Sequence, residues 1–125
     1  MIRVLIVDDD TRLAECLRDY LNILPDMEVV AVANNGLEAL RRIRKLQPDV
    51  VLLDITMPLL DGVGVLEQLS EDERKKTNII IHSALATDDI QQRLITLGAK
   101  YFLVKPCDFQ MTAERIRQLT TDAAH

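Results

Sequence analysis

The segment VVLLDITMP, residues 50–58, places the carboxylate of Asp54 directly after four apolar residues and just before a loop that contains Pro58. The length of the apolar run and its β-branched residues are typical of a strand that is buried on both faces. A charge at the end of such a strand is costly unless partner groups surround it. The segment therefore predicts a buried parallel strand that ends in a functional carboxylate.

Four other polar groups follow strand-like runs elsewhere in the chain. They are the acidic pair Asp8 and Asp9, the hydroxyl of Ser83 and the ammonium of Lys105. In an open sheet of parallel strands, ligands bind outside the carboxyl ends of the strands, near the point where the strand order reverses. We therefore expect these four groups to converge on Asp54.

Composition and charge indicate a single compact domain and argue against binding of nucleic acid or membranes. The chain has 125 residues, of which 48% are hydrophobic, and these values are typical of one compact domain. The net charge of −5 argues against direct binding of nucleic acid. No apolar stretch approaches the roughly 20 residues of a membrane span, so we expect no membrane association and a cytoplasmic location. Cys16 and Cys107 are interpreted as a reduced pair.

Strand-like runs alternate with segments of helical periodicity along the whole chain. This alternation, with short connections, predicts an α/β fold: a single doubly wound, five-stranded parallel sheet with five helices. Residues 70–77 are expected to form a helix end and a solvated loop, residues 1–120 the domain, and residues 121–125 the start of a linker. His125 is given no function. The predicted strands are Arg3–Val7, Glu28–Ala33, Val50–Leu53, Asn78–His82 and Tyr101–Val104.

Clustered carboxylates at one edge of a sheet predict a bound cation, because like charges repel unless a positive charge separates them. Mg²⁺ prefers oxygen ligands and keeps several of its waters. We expect Asp9, Asp54 and the backbone carbonyl of Thr56 to bind Mg²⁺, with Asp8 holding a metal-bound water.

The same groups suit phosphoryl transfer to an aspartate. Such a transfer depends mainly on alignment and on neutralised phosphoryl oxygens. Asp54 is the expected acceptor, and Mg²⁺ and Lys105 are expected to supply positive charge. Ser83 is expected to form one hydrogen bond to the new phosphoryl group.

Less specific readings exist for each residue. Acidic runs such as residues 8–10 are commonly solvated loops or helix caps, Asp54 could cap a turn, and Lys105 could be a surface lysine.

A metal-dependent phosphatase or phosphotransferase would also use an aspartyl-phosphate, but such enzymes usually need a further carboxylate two positions on, where this chain has Thr56. We therefore expect no small-molecule turnover. A binding module that is never phosphorylated is the third alternative.

Taken together, these residues resemble the receiver domain of two-component response regulators, from Ile2 to about Leu119. The resemblance implies a flavodoxin-like topology with strand order 2-1-3-4-5, and phosphorylation of Asp54 with Mg²⁺ from the phosphohistidine of a histidine kinase or phosphotransferase protein. It implies that Ser83 is the switch hydroxyl, Phe102 the switch aromatic and Lys105 the charge sensor. The Lys105–Pro106 bond would be cis.

The resemblance also implies a switch and an output. Phosphorylation would change the face built by the fourth of the five predicted helices, the last strand and the last helix. Receivers of this type commonly form a homodimer or release their effector domain through that face. Residues 26–36 and 101–108 resemble the receivers of the master sporulation transcription factors of spore-forming bacteria, which implies transcriptional output through a C-terminal DNA-binding domain. The alternative is a stand-alone phosphorelay receiver. Thr56 and Leu85 offer no carboxylate or amide to orient an attacking water, so a long-lived phosphoaspartate is expected.

Three positions depart from the pattern of the resembling domains. Ser83 stands where threonine is commoner, Cys107 where an aromatic residue is common, and His82 where an apolar residue is usual. None of these departures removes a required functional group. His82 is interpreted as a packed strand residue rather than a pH sensor.

Overall fold

The computed structural model describes residues 1–84 and 87–123, and in these residues strands and helices alternate along the chain. The five strands found there are β1 (Ile2–Val7), β2 (Met27–Ala33), β3 (Val50–Leu53), β4 (Asn78–Ser83) and β5 (Tyr101–Val104). The six helices are α1 (Thr11–Ile23), α2 (Gly36–Leu46), α3 (Gly62–Gln68), α4 (Glu71–Lys76), α5 (Asp88–Thr96) and α6 (Phe109–Ala123).

The strands form one parallel sheet in the order β2-β1-β3-β4-β5, which confirms the predicted topology. β3 lies between β1 and β4, and its last residue, Leu53, pairs with Val7 on one side and Ile81 on the other. The strand order reverses between β1 and β3, so the residues that follow these two strands meet at the crevice expected of such a sheet.

Two apolar cores cover the two faces of the sheet. On one face, alternate strand residues such as Leu5 and Val51 pack with residues of α2, α3 and α5. On the other, Val4 and Leu52 pack with residues of α1 and α6. All four residues of β3 are buried, as expected of a central parallel strand. The polar residues that follow the strands are thereby held on a rigid edge.

The described part of the chain has one helix more than the five predicted. α4 occupies the segment 70–77 that was expected to be a helix end and a loop, so that expectation was wrong. Ser70 Oγ accepts a hydrogen bond from Glu73 N, and the Glu73 carboxylate accepts one from Ser70 N. This capping box, with acidic residues in the first turn and basic residues in the last, stabilises a helix that buries no side chain.

The last helix, α6, runs to Ala123. Among residues 1–84 and 87–123, no helix combines the length and apolar character that a membrane span requires.

Candidate functional site

The acidic pair follows β1 at the centre of the sheet edge. Asp8 is 3% exposed, whereas Asp9 is exposed to solvent. Asp8 Oδ1 accepts a hydrogen bond from the backbone N–H of Asp10 at 2.9 Å. The side chain of Asp10 in turn accepts from Leu13 N at the start of α1. The loop that places the acidic pair is therefore also the N-terminal cap of the first helix.

Asp54 follows β3 directly beside this loop. Its backbone N–H donates to the carbonyl of Val7 at 3.0 Å, which extends the pairing of β1 and β3 by one residue. Asp54 is 6% exposed, and its side-chain Oδ1 accepts from Thr56 N at 3.4 Å. The acceptor predicted from the sequence thus lies in the crevice, held by backbone contacts on both sides.

Lys105 follows β5 and reaches across the end of β4. Its ammonium donates to Asp8 Oδ2 at 2.5 Å and to Asp54 Oδ2 at 3.3 Å. The backbone N–H of Lys105 donates to the carbonyl of Ser83 at 3.0 Å, and the bond to Pro106 is cis, as the resemblance implied. Three groups that are far apart in the sequence therefore meet as one buried ionic cluster.

The electrostatics of this cluster show an excess of negative charge. Burial raises the pKa of Asp8, and the nearby charge of Asp54 acts in the same direction, although the hydrogen bond from Lys105 opposes both. Burial would lower the pKa of Lys105, but its hydrogen bonds and attraction to Asp8 and Asp54 together outweigh that effect and raise the pKa. One ammonium is thus shared between two buried carboxylates.

The acidic residues fit a divalent cation. Asp8, Asp9 and Asp54 each offer one carboxylate oxygen, and these three oxygens lie within 4.8 Å of one another. Hard oxygen donors of this kind suit Mg²⁺, and a cation would balance the excess negative charge. The backbone of Thr56 lies next to Asp54, as its hydrogen bond shows. A role for the Thr56 carbonyl as a ligand stays a prediction.

The two predicted switch residues lie on the neighbouring strands. Ser83 is the last residue of β4, is 4% exposed, and pairs with Val104 of β5. Phe102 is partly buried, pairs with Ile81, and packs against the core on the α2, α3 and α5 side. Their switching roles stay predictions. Leu85, which was expected to leave the phosphoaspartate long-lived, and His125 lie outside the described residues.

One contributor to the site was missed at the sequence level. Gly62, the first residue of α3, packs so closely on the loop after β3 that a Cβ atom there would lie 2.4 Å from the carbonyl oxygen of Asp54. Gly62 N also donates to Ile55 O at 2.8 Å. Gly62 lies eight positions after Asp54 in the sequence, and that spacing alone gives no sign of contact with the acceptor.

Comparison with known proteins agrees with this geometry. A family model described as the response regulator receiver domain matches residues 4–117. The response regulator domain of Thermotoga maritima CheB is 35% identical, with 94% of this chain and 95% of that chain covered and a TM-score of 0.83. The Francisella response regulator 1452 receiver domain is 28% identical, with 98% and 99% covered and a TM-score of 0.85. A CheY-like response regulator receiver domain protein from Methanospirillum hungatei JF-1 is 25% identical, with 98% and 95% covered and a TM-score of 0.86.

Proposed function

This chain belongs to the response regulator receiver domain family, and from that membership we propose that Asp54 accepts a phosphoryl group. The donor is the phosphohistidine of a histidine kinase or a phosphotransferase protein. The observation that carries this proposal is the position of Lys105, whose ammonium contacts both Asp8 and Asp54 in a crevice at the edge of the sheet. A carboxylate and an ammonium held side by side are the groups that acceptance of a phosphoryl group requires.

The residues divide the chemistry between them. Asp54 is the nucleophile, and one of its carboxylate oxygens forms the bond to phosphorus while the donor nitrogen leaves. Lys105 stays in contact with the acceptor and pairs with a phosphoryl oxygen after transfer. Asp8, Asp9, Asp54 and the Thr56 carbonyl would hold Mg²⁺, which when bound supplies positive charge to the phosphoryl oxygens. Ser83 forms a hydrogen bond to the transferred group.

The proposed consequence is a shift between two conformations. The phosphoryl group adds a charge of roughly −1.5 to −2, which draws the loop after Ser83 toward Asp54. Phe102 turns into the space that is left, and the face of α5, β5 and α6 changes. These are the three elements that the sequence predicted as the fourth helix, last strand and last helix. The changed face promotes a homodimer.

The proposed output is control of transcription through a C-terminal DNA-binding domain. The resemblance of residues 26–36 and 101–108 to sporulation regulators supports initiation of sporulation as the process controlled. The alternative output is a phosphorelay, in which this receiver passes its phosphoryl group onward without binding DNA. A cytoplasmic location stays a prediction.

The acceptor is tested by incubating the wild type and Asp54→Asn with acetyl phosphate and Mg²⁺ and measuring the intact masses. We expect the wild type alone to gain one phosphoryl group, and the gain to require Mg²⁺. Equal labelling of the two proteins would place the acceptor elsewhere. The phosphoaspartate is expected to outlast minutes in purified protein, and loss of label within seconds would contradict that expectation.

We propose that the protein is not an enzyme for small substrates. The residue two positions after Asp54 is Thr56, so the further carboxylate that a phosphatase of this chemistry uses is missing from that position. Incubation with small phosphomonoesters should release no phosphate above the rate of Asp54→Asn. Sustained release of phosphate by the wild type would indicate that the protein is a phosphatase.

A further inference from the structure

The outer side of α2 carries basic and apolar side chains that are exposed together. α2 has four basic residues and a single acidic one, although the whole chain has a net charge of −5. The side chains of Arg41 and Arg44 are 74% and 50% exposed. Leu37, one turn before Arg41, is 52% exposed, and Lys45, one turn after it, is exposed as well. These four residues line one shallow concave surface.

Leu59, in the turn after β3, is a second exposed apolar residue, and its backbone is strained. It is 75% exposed and has a φ of +69°. The turn is closed by a hydrogen bond from Leu60 N to Pro58 O at 2.8 Å. A positive φ suits glycine or asparagine and is unfavourable for leucine, and an exposed leucine recovers little of that cost by burial. Folding alone therefore does not account for a leucine at this position, whereas contact with another molecule does.

The turn that contains Leu59 lies against the start of α2. Gly36, directly before Leu37, packs so closely on Leu60 that a Cβ atom at Gly36 would lie 2.0 Å from the Leu60 carbonyl oxygen. The two exposed leucines are therefore each one residue away from this contact. We call the surface that they form with the exposed basic side chains of α2 the α2 face: Leu37, Leu59, Arg41, Arg44 and Lys45.

The α2 face is separate from the other surfaces described above. α2 covers the opposite face of the sheet from α1 and α6. α3 packs against both α2 and α5, so it lies between the α2 face and the face of α5, β5 and α6. A molecule bound to the α2 face therefore leaves the proposed switch surface uncovered.

The charge of the α2 face indicates an acidic partner. Carboxylates placed on this face interact with an excess of cations within about a Debye length, roughly 8 Å in physiological salt. A long anionic polymer or a charged membrane extends beyond that range and is repelled by the acidic remainder of the chain. A second copy placed symmetrically would bring the basic side chains together. The two exposed leucines require apolar groups on the partner as well. A short acidic helix with an apolar stripe satisfies both conditions.

We propose that the α2 face binds an acidic amphipathic helix of a partner protein. The apolar stripe of that helix contacts Leu37 and Leu59, and its carboxylates pair with the basic side chains of α2. This interaction does not depend on whether Asp54 accepts a phosphoryl group, so it can be tested independently of the proposed function.

The test uses the full chain and two synthetic peptides of about 18 residues, long enough to form a helix. The acidic peptide carries leucines at every third or fourth position and glutamates along the opposite side. The second peptide has serine in place of each leucine and the same charge. Each peptide carries a fluorescent label, and fluorescence anisotropy at about 0.15 M salt gives its Kd for the protein.

Two variants change the α2 face in different ways. Arg41→Glu/Lys45→Glu reverses two exposed charges. Leu59→Asn removes the apolar side chain and replaces it with a residue that adopts a positive φ more readily. The matched controls lie on α1, on the other face of the sheet: Arg12→Glu/Arg18→Glu and Ile23→Asn.

We expect the acidic peptide with leucines to bind the wild type, and the serine peptide to bind about fivefold more weakly or worse. Arg41→Glu/Lys45→Glu should raise the Kd of the first peptide about tenfold, because two attractive pairs become repulsive. Leu59→Asn should raise the Kd about fivefold while its Tm equals or exceeds that of the wild type, because strain is relieved. A purely structural role for Leu59 would not combine these two results. The control variants should bind as the wild type does.

Several outcomes would overturn the inference. No binding to the wild type, or the same Kd in every variant, would show that the α2 face is not a binding surface. Equal losses in the α1 controls would attribute binding to overall charge. Tighter binding of a short DNA duplex or of phosphatidylglycerol vesicles, weakened by Arg41→Glu/Lys45→Glu, would identify a different occupant. Association of the wild type with itself that this double variant abolishes would identify a second copy. Thermal unfolding checks that each variant is folded, and Leu59→Asn keeps the test decisive if the double variant is not.

Discussion

Lys105 is the residue on which the charge balance of the site depends. Its side chain is 16% exposed and contacts two carboxylates that are each less than 10% exposed. Lys105→Met keeps most of the apolar stem but leaves Asp8 and Asp54 without that cation. We expect the free energy of unfolding at pH 7 in metal-free buffer to fall by about 3 kcal/mol, as when one partner of a buried ion pair is removed. Urea denaturation measures this change.

Lys100→Met is the matched control, because Lys100 is exposed just before β5. It should change the free energy of unfolding by less than about 0.5 kcal/mol. Added Mg²⁺ should restore part of the loss in Lys105→Met, since a divalent cation can balance the same carboxylates. A variant as stable as the wild type without metal would mean that the ionic cluster contributes nothing to stability.

His82 should leave a signature in the pH dependence of stability. Burial lowers its pKa from the ordinary 6.5 to about 4 in the folded protein. Between these two values the unfolded chain binds a proton that the folded protein does not, so the free energy of unfolding falls as the pH falls from 6.5 toward 4. The linkage amounts to about 3 kcal/mol at most. In His82→Leu this part of the decline should be absent.

The measurement is urea denaturation of both proteins from pH 4.5 to 7.5. Carboxylates that titrate in both proteins largely cancel in the difference between the two curves. The free energy of unfolding of the wild type minus that of His82→Leu should be constant above pH 7. It should decrease as the pH falls, because only the wild type loses stability through protonation of His82 in the unfolded chain. Parallel curves across the whole range would contradict the expected burial of a neutral ring.

At the scale of elements, the start of α3 is the contact that holds the loop carrying Asp54. A Cβ at Gly62 would lie 2.4 Å from the Asp54 carbonyl oxygen, and backbone atoms there cannot move without shifting the acceptor. A Cβ at Gly64, two residues on in the same helix, would have side-chain atoms as its nearest neighbours: the end of the flexible Leu60 side chain at 2.5 Å and Asp61 Oδ1 at 3.3 Å. The same glycine-to-alanine substitution is therefore expected to have different effects on stability at Gly62 and at Gly64.

Gly62→Ala should lower the free energy of unfolding by about 1–3 kcal/mol through overpacking and should slow labelling by acetyl phosphate. Gly64→Ala should be close to neutral, because Leu60 can rotate and alanine is a better helix former by up to about 1 kcal/mol. Thermal or urea unfolding and intact mass measure the two effects. Equal destabilisation by the two substitutions would show that contact with the acceptor loop is not the cause.

At the scale of the whole molecule, three exposed large apolar side chains lie on the elements that are proposed to switch. Ile95, Val104 and Met111, on α5, β5 and α6, are exposed by 51%, 60% and 48%. Exposed large apolar side chains on adjacent elements are typical of interaction surfaces. This face is the one through which we expect phosphorylated molecules to dimerise.

Val104→Glu should weaken dimerisation of the phosphorylated protein by about tenfold or more, because a carboxylate buried without a partner costs more than about 1.4 kcal/mol. Labelling of Asp54 should be unchanged. Ile23→Glu, at an exposed position on α1, is the control and should leave the dimer intact. Sedimentation of phosphorylated and unphosphorylated protein measures the association. Equal association of both forms, or a dimer unaffected by Val104→Glu, would contradict this expectation.

The sequence pattern was enough to predict the parallel sheet and the residues at its edge, and the family resemblance implied the strand order. Apolar runs such as residues 50–53 predict buried strands from the local sequence alone. Strict alternation of strands with helices is compatible with only a few parallel topologies. The overlooked helix α4 was also encoded locally, in the capping box of Ser70 and Glu73, but it buries no side chain and so lacks the apolar period that reveals other helices.

Other features depend on atoms that are distant in the chain. The contact of Lys105 with Asp8 joins residues 97 positions apart. The close approach of Gly62 to Asp54 and the unpartnered nitrogen of His82 follow likewise from how helices and loops pack on the sheet. Residue types show which groups can pair, whereas only tertiary packing brings particular atoms to hydrogen-bonding distance or leaves one without a partner.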